Sequence, residues 1–152
     1  MKLDEIMSLW EEDSNVDRTA LGDESIAIPK LHAKYYRLFM QERMALYKHE
    51  ADLKVMYRKK HEYYNGTLSN EELQEHGWQP FALKVLKADL PIYIEADPDL
   101  INIQSKIAVQ KEKVSFIESI IKGLTNRGFQ IRAAIDFMKF QHGVSWFWRR
   151  AN

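Results

Sequence analysis

Lys54, Arg58 and His61 stand at i, i+4 and i+7, with Tyr57 and Tyr64 beside them. A helix through this stretch stacks its cations in a column next to aromatic rings. Lysine and arginine neutralise backbone phosphates, and tyrosine faces stack unpaired bases without regard to sequence. The column belongs to a longer basic run. Residues 30–61 carry nine Lys/Arg (Lys30, Lys34, Arg37, Arg43, Lys48, Lys54, Arg58, Lys59, Lys60) against Glu42, Glu50 and Asp52, a net +6. Residues 1–29 carry two basic and eight acidic side chains, net −6, and residues 62–152 carry eleven of each, so the formal charge of zero conceals a strongly polarised chain. Exposed helix faces ordinarily mix signs, because opposite charges at i, i+4 support the helix. Three readings of the run stay open: a solvated face, a phosphate track, or a surface for an acidic protein, including the N-terminus of another copy.

Other chemistry finds no carrier. The six glycines are isolated, so no loop cradles a phosphate. The five histidines (His32, His49, His61, His76, His142) form no HExxH, and no two share a helical turn as a zinc site requires. Asp97-Pro98-Asp99 reads as a helix start rather than a carboxylate pair. Cysteine is absent, which excludes disulfides and thiolate metal sites and fits an intracellular setting. The expectation is a protein with no enzymatic activity, no cofactor and no metal. No apolar run approaches the ~20 residues that span a bilayer, and the acidic N-terminus does not resemble a secretory signal. A cytoplasmic location without membrane contact is expected.

The elements that must position the column are helices. Few glycines and prolines and a content of 45% hydrophobic residues favour long helices and an all-α fold. Leu3, Ile6 and Trp10 mark a short amphipathic helix over 2–13, followed by an irregular connector with Gly22. Pro29 suits the first turn of a second helix running to Tyr64. Tyr35, Phe39, Leu46, Leu53, Tyr57 and Tyr64 form its apolar stripe, flanked by Leu31, Leu38 and Met56. At ~1.5 Å per residue such a helix is roughly 50 Å long and must lean on other helices or other subunits. Asn65-Gly66 ends it. Ser69 and Glu72 form a capping box for a short helix ending before Gly77. Trp78-Gln79-Pro80 is a turn, Phe81–Lys87 a further helical turn, and Pro91–Ile94 a short extended piece. Asp97 and Pro98 then open the clearest element. Leu100, Ile103, Ile107, Gln110, Val114, Ile117, Ile121 and Leu124 follow at steps of three and four, a heptad seam with one polar member. The seam is either core against the second helix or an interface between subunits, with Ile103, Ile107, Val114, Ile117, Ile121 and Leu124 as its contact residues. Gly128 ends this helix, and a last one follows to Gly143. The tail Trp146-Phe147-Trp148-Arg149-Arg150 docks into an oligomer or stacks on bases.

Taken in order, these features resemble the UvsY recombination mediator family of T-even-type phages. The resemblance rests on Asp17, Thr19 and Leu21, the basic-aromatic Lys34-Tyr35, Glu50-Ala51, and the stretch from Val55 through Tyr63-Tyr64 to Gly66. Leu86, Ala88-Asp89 and Arg127-Gly128-Phe129 with Ile131 continue it, so it covers nearly the whole chain to about Gly143. The tail departs from the pattern. The resemblance implies single-stranded DNA binding and ring-like homo-oligomers, hexamers or heptamers. It also implies the loading of a recombinase of the UvsX type onto strands covered by the phage single-strand binding protein. Residues 1–66 would then bind the strand and residues 67–152 would assemble the oligomer. Arg58 and Lys60 fall at the family's basic pair before the tyrosines, in swapped order, with Lys59 as an added charge. Lys54, Tyr57, Lys34 and Arg37 complete the expected DNA contacts. The runner-up is a structural coiled-coil adaptor that binds an acidic protein and has no DNA role.

Overall fold

A computed structural model describes the backbone of residues 1–150 and the side chains of residues 1–143 and 150. The described residues form five α-helices and no strand: α1 (Leu3–Asp13), α2 (Leu21–Asn65), α3 (Asn70–His76), α4 (Leu90–Glu95) and α5 (Pro98–Arg150). They pack as two units, Met1–Gln41 with Lys113–Asn152, and Glu42–Glu112. This division of packing does not coincide with the functional division drawn at Gly66, since both long helices serve both units.

In the first unit, α1 lies against the opening of α2 and the latter part of α5. Ile6, Tyr35, Ile117, Ile120 and Leu124 form its buried centre, with Trp10, Leu38, Phe39 and Phe116 packed around them. Trp10 meets Tyr35 edge-on at 5.4 Å, the favoured geometry for two ring quadrupoles. Tyr35 donates its hydroxyl to Asp13 at 2.8 Å, and Lys34 pairs with the same carboxylate at 2.6 Å. Arg127 is buried and binds the carbonyls of Asp13 and Asn15 at 2.6 and 2.9 Å, and the Glu24 carboxylate at 3.0 Å. It thereby ties the α1–α2 connector to α5.

The start of α2 differs from expectation. Asp17 Oδ1 accepts from the backbone N–H and hydroxyl of Thr19 at 2.8 and 2.6 Å, and this turn launches the helix at Leu21. Asp23 and Glu24 in the first turn face the positive end of the helix dipole. Pro29 therefore lies inside α2. It removes one backbone bond, to the carbonyl of Ser25, but both residues are exposed, so water can take up that oxygen. α5 also runs through the expected stops at Gly128 and Gly143. Among the described residues, positive φ occurs only at Gly66 and Gly77, the C-terminal stops of α2 and α3. Gly128 instead brings its backbone close to α2, where a Cβ would sit 3.9 Å from Ile28 Cδ1. Burial of Arg127 and Ile131 on either side outweighs the ~1 kcal/mol that a helical glycine costs.

In the second unit, Leu90, Ile94 and Leu100 are buried against Leu53, Met56, Tyr64 and Val85. α2 and α5 are antiparallel here. Gln110 donates to both the carbonyl and the carboxylate of Glu42 at 2.7 Å, while Lys60 reaches the start of α5. Ser69 caps α3 as expected, its Oγ accepting from the N–H of Glu72 at 3.2 Å, while the Glu72 carboxylate accepts from the Ser69 hydroxyl at 3.4 Å. Phe81–Lys87 is irregular rather than helical, and Pro91–Ile94 is helical rather than extended. Pro91 sits in the first turn of α4, where its missing N–H costs nothing, and Leu90 and Ile94 at i, i+4 are the buried pair. Tyr57 is 46% exposed, so the buried face of α2 passes through Met56 instead.

The seam of α5 is core within the chain. Ile117 and Leu124 are wholly buried in the first unit and Ile107 is buried in the second, while Ile103, Val114 and Ile121 are half-buried. The first three are thus closed to another subunit unless the fold opens, which corrects their expected place at the interface. The Trp146–Arg149 side chains lie outside the described residues, and with them the reading of the tail.

Candidate nucleic-acid interface

The last turns of α2 present two opposed faces. Arg58 and Lys60 project about 200° apart on a helix, and the structure separates their environments accordingly. Lys60 is 4% exposed. Its ammonium lies 2.8 Å from Asp99 and 3.1 Å from Asp97, and 3.7 Å from the centre of the Trp78 ring. A cation over an indole face is the strongest of the aromatic cation contacts. Tyr64 donates its hydroxyl to Asp97 at 2.6 Å, and Asp97 Oδ1 caps α5 by accepting from the N–H of Asp99 at 2.9 Å. Lys60 stands seven residues after Leu53 and four before Tyr64, a position on the buried stripe that the sequence displayed. A phosphate would reach it only by displacing two carboxylates, so Lys60 fastens α2 to the start of α5.

Burial pushes the Asp97 carboxyl up, but the hydrogen bonds from Tyr64 and Lys60 and the ammonium's charge outweigh it, and the net shift is downward. Burial and the bond to Asp97 push the Tyr64 hydroxyl up. A depressed carboxylate contributes stability that is complete above its unfolded value and is lost as pH falls through its folded value. Asp97→Asn should therefore lower the urea midpoint at neutral pH. The gap to the unmodified chain should narrow as pH drops below the ordinary aspartate range of about 4. An equal gap at neutral and acid pH would refute the ion-pair account.

The opposite face is solvent-facing. Arg58 makes a forked contact with Glu62 at 2.9 and 3.0 Å, with its side chain more than half exposed. Lys54 and Tyr57 are exposed, and Lys54 has no ion pair among the described residues. Lys59 is half-buried, its Nζ 2.9 Å from Nε2 of His76, whose ring stacks on Trp78 at 4.4 Å. Lys54, Tyr57, Arg58 and Lys59 thus gather in the second unit. Lys34, paired with Asp13, and exposed Arg37 belong to the first unit. Lys59 shares a groove of about 440 Å³ with Lys48 and with Lys106 of α5. Sequence reasoning did not find Lys106. The signal that could have found it was residues 100–111, which hold Lys106 and Lys111 and no acid.

Long helices with an exposed basic-aromatic end define an all-helical class of protein, with no metal cluster among the described residues. Residues 9–144 match the family described as recombination, repair and ssDNA binding protein UvsY, and the chain belongs to that family. It is 20% identical over 143 residues to the recombination protein uvsY of Enterobacteria phage T4, covering 94% of this chain and 99% of that protein. Crystal structures of the bacteriophage T4 recombination mediator protein UvsY share the fold. One, in lattice type II, superposes with a TM-score of 0.80 at 20% identity over 93% of this chain and 98% of that one. Another, in lattice type IV, gives 0.81 at 19% identity over 92% and 99%. No helix among the described residues is long and apolar enough to cross a membrane.

Proposed function

We propose that this chain is a recombination mediator that holds single-stranded DNA and hands it from the phage single-strand binding protein to a recombinase of the UvsX type. It acts without catalysis, by changing which protein occupies the strand. The carrying observation is the exposed column of Lys54, Tyr57 and Arg58 in a chain of a single-strand-binding family. In the second unit Lys54, Arg58 and Lys59 meet phosphates and Tyr57 stacks on bases; Lys34 and Arg37 are further phosphate contacts, in the first unit. Lys60 supports it from beneath. Strand binding is assigned mainly to residues 1–66 and assembly to 67–152, as a ring-like homo-oligomer in the cytoplasm of the host. Phe129, Phe137 and Phe140 are 60–70% exposed along α5, and a monomer has little reason to leave three such rings in water. They are the assembly surface we favour over the buried seam residues.

Lys54→Ala with Arg58→Ala should leave the fold intact, since both side chains are exposed and alanine is the best helix former. Affinity for a labelled single strand, read by fluorescence anisotropy, should fall. The slope of log affinity against log salt should become shallower by about 0.7 for each phosphate that the variant no longer neutralises. Unchanged affinity and slope in the folded double variant would remove the column from the site and favour the adaptor reading.

A further inference from the structure

The groove of the second unit is built unlike the exposed column. Lys48, Lys59 and Lys106 line it from two different helices, with His49 and Asp52. Val55, Met56 and Ile103 supply its apolar wall. Cations on a rim above aliphatic and thioether surface are what one nucleotide needs. The phosphate takes the ammonium groups, and the flat face of the base lies on the apolar wall, where a methionine sulfur contacts aromatic rings favourably. At about 440 Å³ the groove falls within the ~300–1,000 Å³ of small-ligand sites. An acidic peptide would use the lysines equally, but it has no use for the apolar wall between them. Lys106 is exposed and has no ion pair among the described residues. Val55 is 52% exposed, an aliphatic side chain left in water on a basic face.

We propose that this groove is a nucleotide subsite for the single strand, in which Lys48 and Lys106 hold a phosphate and Val55, Met56 and Ile103 carry the base. The inference rests on the single-strand-binding reading above and adds to it a contribution from α5, outside the basic run. The strand then leaves the surface of α2 and crosses onto α5.

The test uses the full chain and two labelled probes of equal length, a thymidine oligonucleotide and its abasic counterpart, measured by anisotropy at two salt concentrations. Lys106→Gln should weaken binding of both probes several-fold and flatten the salt slope by about 0.7. Val55→Ser should weaken the thymidine probe and leave the abasic probe unchanged, a selectivity that a general loss of structure does not produce. Both residues are exposed, and circular dichroism of each variant confirms folding. If both variants bind both probes like the unmodified chain while Lys54→Ala with Arg58→Ala loses affinity, the groove is refuted and the reading above stands. If Lys106→Gln weakens binding but Val55→Ser does not, the base contact is refuted. An unmodified chain that binds neither probe overturns both proposals. Binding of a polyglutamate peptide as tight as that of the thymidine probe, lost in Lys106→Gln, would assign the groove to an acidic protein instead.

Discussion

Lys60→Ala should cost this protein about 3–5 kcal/mol of stability, the range for removing one partner of a buried ion pair. The reason lies in what the substitution leaves behind. Asp97 is 3% exposed, and without the ammonium it keeps only the Tyr64 hydroxyl and backbone N–H groups as partners. Trp78 loses the cation at 3.7 Å, and a polar space opens beside Asp97 and Asp99 at the start of α5. Against a total of roughly 5–15 kcal/mol for a natural domain, such a loss shows directly in a urea titration. Arg58→Ala should by contrast shift stability by no more than about 0.5 kcal/mol, because an exposed i, i+4 pair contributes little. Combining Lys60→Met with Asp97→Asn removes both charges and should recover most of the stability. Recovery separates packing from DNA contact. If Lys60 acts only as a fastener, the double variant regains strand affinity as it regains the fold. A double variant that folds normally yet binds no strand would make Lys60 a direct DNA ligand after all.

Ile117→Asp should unfold the first unit rather than merely release subunits. Ile117 has no exposed surface and sits among Ile6, Tyr35, Ile120 and Leu124. A carboxylate there would sit in an apolar cluster in which the Tyr35 hydroxyl is already given to Asp13, and burying an unpaired charge costs several kcal/mol at the least. Loss of helical signal, or a midpoint shifted far toward low urea, is the expected result. Phe137→Asp makes the contrast. That ring is 60% exposed, so the fold should persist while the mass by light scattering falls. A folded Ile117→Asp chain of unchanged mass would show that the core tolerates the charge and would overturn the packing assigned here. Unchanged mass for Phe137→Asp would move the search for the assembly surface elsewhere on the chain.

Scarce glycine and proline pointed to an all-helical chain, and periodicity placed the bodies of its two long helices though not the start of α2 or the end of α5, because an apolar stripe repeating every three or four residues suits a helix. Local stereochemistry likewise set Gly66, Gly77, Ser69 and Asp97 at helix ends, since a positive φ or a short oxygen acceptor is needed there whatever the surroundings. Membership of the UvsY family was legible for the same reason, as the order and spacing of short motifs survive without the fold. Tertiary structure decided what competes with local preference. Pro29 and Gly128 lie within helices because the turn at Asp17–Thr19 starts α2 upstream and burial of the residues around Arg127 outweighs a cost of one to a few kcal/mol. The heptad seam gave no way to choose between core and interface, as either partner offers the same apolar surface. The packing of α1 and α2 against Ile117 and Leu124 chose core. Charge proved the least legible property. Composition counts Lys60 and Arg58 alike, yet the angle of about 200° between them buries one against Asp97 and leaves the other in water. The lysine that joins the groove from α5 lies far from the basic run, and only the antiparallel pairing of the two helices brings it there.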